Sequence, residues 1–471
     1  LKKKAKVVLY NPLAVFYTMP LSLIALASNL NPDKYDIRII DARLEKNPLA
    51  KLIAESKNAL CVGMTVLTGA PIKDALFASR KLKEIYPSLI IVWGGWHTSL
   101  FPLETLKEPS IDLTVQGQGE ETFRELVDNL NENKDIGGIN GISYRKDGAA
   151  VRNMTGNLKD MNEFPFQKYE YIGVEKYFKL KAKRQFDFIS SIGCFFRCTF
   201  CADPHVYNRK WSALSPKRMG EELARAWNKY RFTELAFQDE TFFTYEDRVL
   251  EIAEEFLSRG LKFSWTATMR ADQGFRLKEN TMKLLVRSGL RWVLIGVESG
   301  SDEMLKWLKK DITIEQVLYC ADMCKKYGIA AHFPLIIGFP GESDQSVEKS
   351  LSIANHLREM SPKFETPVFY YKPYPGSSIT EEAVKNGFRL PSSLEEWSEF
   401  DYIGSTGPWV NDKKYDLVEK FKFNNRFAGG RESLIKRPIR SIARWRIKNN
   451  NYKFPIEKAI IEKIKPGEPV S

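Results

Sequence analysis

The feature that most constrains this chain is a repeated switch of hydrophobic period, from the short apolar run of a strand to the wider spacing of a helix. One such series runs from Ala5 to Leu130, and a second from Asp187 to about Gly387. Strands joined through helices pair in parallel, and a parallel sheet needs cover on both faces. Both halves are therefore read as α/β. At roughly 100–200 residues per domain, a length of 471 suits a chain of this kind with a further segment at its end.

In the first series Val7–Tyr10, Ile37–Ile40, Ala59–Met64, Leu89–Trp93 and Asp112–Gln116 read as strands. Pro20–Leu30, Ala70–Ile85 and Glu120–Leu130 read as helices. This predicts a doubly wound, Rossmann-like sheet over residues 1–133. Ligands of such sheets bind beyond the carboxyl ends of the strands. Asn11, Thr65 to Thr68, Gly94-Gly95 and Gly117 to Gly119 are therefore the candidate loops. Residues 134–183 form a connector, with a β-hairpin turning at Lys146-Asp147-Gly148. In the second series Phe188–Ile192, Glu234–Gln238, Phe263–Ala267, Trp292–Gly296, Ala331–Ile337 and Pro367–Tyr371 read as six strands with helices between. Over residues 184–388 that is a (βα)6 partial TIM barrel, whose site lies at the strand carboxyl ends. Residues 389–471 read as a helical, basic C-terminal extension.

Six cysteines in 471 residues are too sparse for a disulfide scaffold. Cys61 lies in an apolar strand, and Cys320 and Cys324 lie one turn apart on a helix, so these three read as buried small hydrophobes. Cys194, Cys198 and Cys201 instead crowd into eight residues just after a strand. Closely spaced thiolates of this kind point to metal. Three thiolates hold three corners of an iron–sulfur cube and leave one iron open. A Cys3His zinc site using His205 has a workable spacing as well. The spacing alone leaves both open.

Polar motifs follow the other strands in order: Phe237-Gln238-Asp239-Glu240-Thr241-Phe242, Arg270, Ile295-Gly296-Val297-Glu298-Ser299-Gly300, Ile337-Gly338-Phe339-Pro340-Gly341-Glu342 and Pro373-Tyr374-Pro375-Gly376-Ser377. Singly they have ordinary readings as turns and helix starts, and Thr244 with Asp247 reads as the start signal of the helix after the second strand. Together with C-x3-C-x2-C and Phe200 before its third cysteine, they resemble the radical S-adenosylmethionine enzymes. The resemblance implies a [4Fe-4S] cluster on Cys194, Cys198 and Cys201. It also implies S-adenosylmethionine held by Phe200, Asp239, Glu240, Arg270, Glu298, Gly338, Phe339 and Pro340.

In the first domain, Thr65 to Gly69, Val92 to Ser99 and Gln116 to Phe123 resemble the cobalamin-binding domain fused to class B members of that family. Thr65, Leu67, Thr68, Gly94, Gly95, Gly117 and Glu120 are the implied cobalamin contacts. The D-x-H-x-x-G motif that gives cobalt a histidine in other cobalamin proteins is absent. The implied activity is methyl transfer to an unactivated carbon through a 5′-deoxyadenosyl radical. The implied partners are a small-molecule or lipid substrate and an electron donor such as flavodoxin or ferredoxin. Oxidative cyclisation or rearrangement of a tetrapyrrole or lipid is the nearest alternative. A transfer RNA methylthiotransferase would carry more N-terminal cysteines than Cys61. A zinc-bearing nucleic-acid binder is the remaining alternative, and no nucleic-acid partner is expected.

The net charge of +12 is uneven: Arg431 to Lys453 carries eight basic residues against Glu432, a net +7. Ile435, Ile439, Ile442 and Trp445 recur there at helical spacing. One reading is a surface helix docked on the body with its basic face in water; the other is contact with an anionic partner such as a membrane surface. Tyr370, Tyr371, Trp397 and Trp409 are candidates to line a substrate pocket. The uncharged run Val7–Pro32 holds Asn11, Pro12, Pro20 and Asn29, and reads as strand, loop and helix rather than a membrane span. The expected location is cytoplasmic.

Overall fold

The computed structural model describes residues 4–374, 376–400, 406–428, 437–449 and 451–452. Its first sheet contains β1 (Ala5–Asn11), β2 (Tyr35–Asp41), β3 (Ala59–Thr65), β4 (Ile90–Gly94) and β5 (Leu113–Val115), in the order β2-β1-β3-β4-β5 and all parallel. The connector adds β6 (Ile142–Lys146) and β7 (Ala149–Arg152) antiparallel along the β5 edge, so its hairpin extends the first sheet. From β1 the chain winds first to β2 on one side and then to β3 on the other. That switch point opens a crevice above β1 and β3.

The second sheet contains β8 (Gln185–Phe188), β11 (Glu234–Phe237), β12 (Ser264–Met269), β13 (Leu290–Ile295), β14 (Ala330–His332) and β16 (Phe364–Glu365), paired in that order and parallel. Among the described residues β8 and β16 do not pair, so the barrel is an open arc. Along β12 Trp265, Ala267 and Met269 are buried and alternate with the half-buried Ser264, Thr266 and Thr268.

Three expectations shift. The first barrel strand ends at Phe188; Ser191–Gly193 (β9) then pairs antiparallel with Trp211–Ala213 (β10). The fifth and sixth strands are each split near a proline, giving β15 (Leu335–Ile337) after Pro334 and β17 (Val368–Tyr370) after Pro367, because proline has no N–H for the ladder. Helix Glu246–Ser258 starts without a side-chain cap; the Thr244 hydroxyl donates to the Thr241 carbonyl instead.

The two halves share core. Met19, Leu21 and Ile24 of the first domain belong to the barrel's hydrophobic cluster. Beside them the Met19 N–H donates to Asp187 on β8, which also pairs with Lys181. The C-terminal segment returns to the first domain, where Leu394, Trp397 and Phe400 join the core beneath helix Ala70–Ile85.

Helices Asp412–Ala428 and Arg437–Lys448 pack on the barrel. The basic helix keeps Arg444 and Lys448 in water, as expected, but does not divide into one apolar and one basic face. Arg440, Ala443, Arg446 and Ile447 are buried, while Ile442 and Trp445 are exposed. Ile435, with Arg431, Lys436 and Lys453, lies outside the described residues. Among the described residues no helix is long and apolar enough to cross a membrane.

Candidate active site

Two adjoining cavities lie between the carboxyl ends of the two sheets. The smaller, about 560 Å³, is lined from the first domain by Asn11, Thr65, Leu67, Gly94, Gly95, Gly117 and Glu120, and from the barrel by Tyr207, Gln238 and Glu240. The larger, about 840 Å³, is lined by Leu67, Thr68, Phe200, Cys201, Asp203, Glu240, Glu298, Tyr370 and Tyr371. Leu67, Trp96 and Glu240 border both. Gly95 is needed where it stands: its φ is +99°, and a Cβ would lie 3.0 Å from the Val66 backbone. Thr68 shares a hydrogen bond of 3.2 Å with Nδ1 of buried His97, which packs edge-on against Trp397. Burial lowers the His97 pKa to about 4.

The cysteine loop closes one side of the larger cavity. Cys198 is buried and Cys194 and Cys201 are half-buried, all as free thiols. Burial pushes the Cys194 thiol up to about 11 and Cys201 well above its ordinary value. Two cations stand beside the loop, and one of them, Arg270, works against that burial at Cys194. Arg270 stacks on Phe196 at 3.6 Å and donates to Cys198 Sγ at 3.5 Å, to Asp272 at 2.9 Å and to the Lys310 carbonyl at 2.5 Å. Lys310, buried, pairs with Glu298 at 2.7 Å. Burial works against its charge, but Glu298 and Cys198 hold it above the usual lysine range. Glu298 itself sits at φ +65°, where its backbone links β13 to β15.

Of the Asp239-Glu240 pair, only Glu240 faces the cavities. Asp239 accepts from the Ser190 N–H at 3.0 Å and from the Ser190 and Ser191 hydroxyls at 2.6 Å each, which fixes β8 to β11. Glu240 Oε2 and Asp203 Oδ1 are buried with no hydrogen-bond partner among the described residues. Burial and mutual proximity push Glu240 well above the usual carboxylate range, and burial raises Asp203. The Gly338 to Pro340 loop lines neither cavity. Phe339 is buried against Leu308, Tyr371 and Ile379, and Trp409 Nε1 donates to the Gly338 carbonyl at 2.6 Å. Trp409 and Trp397 thus pack rather than line a pocket, whereas Tyr370 and Tyr371 border the larger cavity. His205 is exposed beside Gly376, and among the described residues no three His, Cys, Asp or Glu side chains meet as a single-ion site.

Residues 188–354 match the Radical SAM superfamily, and residues 10–127 match the B12 binding domain. An uncharacterized methyltransferase of Pyrococcus horikoshii is 31% identical over 407 residues, covering 85% of this chain and 86% of that one. The chain belongs to the radical SAM superfamily, in a form that carries a B12 binding domain. The cytidylyl-2-hydroxyethylphosphonate methyltransferase of Streptomyces wedmorensis is 25% identical over 90% of this chain and 91% of its own. Among solved structures, the cobalamin-dependent S-adenosylmethionine radical enzyme OxsB, with aqua-cobalamin and S-adenosylmethionine bound, superposes with a TM-score of 0.76 at 19% identity. It covers 98% of this chain and 75% of that one, a likeness of fold.

The cofactors of this radical SAM enzyme are a [4Fe-4S] cluster, S-adenosylmethionine and cobalamin. The residues present fit them. The orphaned Glu240 and Asp203 oxygens suit an ammonium group. The exposed apolar side chains of Val15, Phe16 and Leu67 at the edges of the cavities suit a large ring ligand. Asp203, Tyr207 and Lys310 were not legible as site residues. Asp203 and Tyr207 follow the cysteine loop without a motif, and Lys310 reaches the cluster loop only through the turn after helix Asp302–Trp307.

Proposed function

We propose that the chain is a cobalamin-dependent radical SAM methyltransferase acting on an unactivated carbon. The supporting observation is the pair of adjoining cavities, one on the B12 binding strand ends and one on the cysteine loop, with Leu67, Trp96 and Glu240 as their common wall. Residues 1–133 and 184–388 are the cofactor and radical domains in this reading. Residues 134–183 connect them, and within 389–471 the described Leu394, Trp397 and Phe400 pack on the first domain while Val418, Phe421, Ala443 and Ile447 pack on the barrel.

When bound, the cofactors supply one-electron reduction, hydrogen abstraction and a methyl group. The protein's own part is to place and shield. Cys194, Cys198 and Cys201 hold the cluster, and Arg270 and Lys310 offset the charge of the buried sulfurs. Glu240, with Asp203, receives the methionine ammonium. Glu298 and Phe200 border the nucleoside. Thr65, Leu67, Thr68, Gly94, Gly95, Gly117 and Glu120 hold cobalamin. Gly338 to Pro340 shape this wall from behind, through Phe339 and Tyr371. Tyr370 and Tyr371 border the substrate side of the larger cavity, whose aromatic walls exclude water from the reacting carbon.

Anaerobically reconstituted protein with reductant and S-adenosylmethionine is expected to form 5′-deoxyadenosine, and a Cys198→Ala variant is not. Equal yields from both would sink the radical reading. A product heavier by one methylene unit separates methylation from oxidative cyclisation. The Streptomyces relative's name specifies a nucleotide-linked phosphonate, which makes an activated phosphonate the first substrate class to try. The protein in this reading is cytoplasmic. Exposed Ile442 and Trp445, flanked by Arg444 and Lys448, favour peripheral contact with an anionic membrane. Co-sedimentation with anionic vesicles at low salt is the expected outcome; no pelleting removes this contact.

A further inference from the structure

We propose that the outer edge of the cysteine loop, around Lys306 and Lys309, is the docking face for an acidic one-electron carrier protein. The inference rests on the radical reading above, because each turnover on that reading consumes an electron delivered to the cluster from outside.

The entry side follows from what the other sides are occupied with. Phe200 and Cys201 face the larger cavity, where cofactor and substrate belong. The opposite side of the loop carries Arg197, whose side chain is 58% exposed and ion-paired with Asp311 at 2.8 Å. Helix Asp302–Trp307 is fastened to this side, since the Thr199 N–H and hydroxyl both donate to the Leu308 carbonyl, at 2.9 and 3.0 Å. The protein surface beside the cluster therefore consists of the loop edge and this helix with the turn after it.

That surface is cationic in a specific way. Arg209 is exposed and donates to the Phe195 carbonyl in the loop. Arg276 is exposed and reaches Asp272, which holds Arg270 against Cys198. The neighbouring acids are largely committed: Asp311 to Arg197, Asp272 to Arg270 and Arg276, and Asp302 to the Ile314 N–H. Glu303 is exposed without an ion pair among the described residues. Among the described residues Lys306 and Lys309 are exposed and make no ion pair, so the face keeps surplus positive charge. Lys309 is held at φ +48° in the turn that delivers Lys310 to Glu298. Its position relative to the cluster loop is thus set by the site itself. Trp307, 37% exposed and packed on Phe339, gives the face an apolar anchor. A small acidic carrier is steered to such a face by charge and released as ionic strength rises.

The test uses reconstituted holoenzyme and reads 5′-deoxyadenosine under two reductants, a reduced acidic flavodoxin and photoreduced deazariboflavin, a small neutral donor. In the Lys306→Glu/Lys309→Glu variant the flavodoxin-driven rate at low salt is expected to fall by about tenfold or more and to lose its salt dependence. The deazariboflavin-driven rate is expected to match wild type. Equal flavodoxin-driven rates in wild type and variant overturn the proposal. So does a parallel fall under both reductants, which would place the two lysines in cluster stability. Wild type that makes no 5′-deoxyadenosine even with deazariboflavin fails at the radical reading itself, and the docking face falls with it.

Discussion

Glu298 and Lys310 show how a few buried charges define the site. Each is 7% exposed, and their ion pair lies beside Cys198 and behind Phe200. Removing one partner leaves the other charge buried, which costs about 3–5 kcal/mol, whereas replacing both by neutral groups costs far less. Lys310→Met is therefore expected to lower the denaturation free energy of the cofactor-free protein by that amount, and Lys310→Met/Glu298→Gln to recover most of it. Urea unfolding measures both. At this scale the cysteines were legible because their spacing is local. The choice between Asp239 and Glu240 was not. Adjacent strand-end residues point opposite ways, and only the pairing of β8 with β11 shows that Asp239 is consumed by Ser190 and Ser191. Lys310 was hidden for a related reason, since its meeting with Glu298 depends on how an intervening helix packs.

At the scale of elements, the parallel strands and their helices were legible from hydrophobic period. Strand ends at Pro334 and Pro367 and the β9–β10 ribbon were not, because they depend on partners distant in sequence. Nor was the return of helix Leu394–Ser398 to the first domain, where it buries His97 against Trp397. This contact predicts an acid dependence. His97 has a folded pKa of about 4, below its ordinary 6.5, so the folded state prefers the neutral ring. The stability is complete above pH 6.5 and is lost as pH falls from there toward 4, to a limit of about 3 kcal/mol. The hydrogen-exchange protection factor in residues 394–400, with the pH dependence of intrinsic exchange divided out, is expected to fall across that window in wild type, with a shallower change in His97→Leu. A flat wild-type profile would contradict it.

The whole molecule is less divisible than its two family matches suggest. Met19, Leu21 and Ile24 lie in the barrel core, and Asp187 ties Met19 to Lys181 across the seam. Domains joined through loose linkers unfold separately, but halves that share one core unfold together. Scanning calorimetry is expected to show a single main transition, and Lys181→Met to move it down as a whole; two separated transitions would refute the shared core. This coupling was not legible, since Met19 and Asp187 are 168 residues apart.

The shared core also bears on how the protein is made. A growing chain emerges N-terminus first, yet the first domain is incomplete when its own strands have appeared. The apolar side chains of Met19, Leu21 and Ile24 wait for the barrel to cover them, and the bed for Leu394, Trp397 and Phe400 stays open until the chain has been made past residue 400. The domain of β1 to β5 is thus finished only after the barrel that follows it. During that interval the strand ends of the first domain stand without Tyr207, Gln238 and Glu240, the barrel residues that complete the smaller cavity.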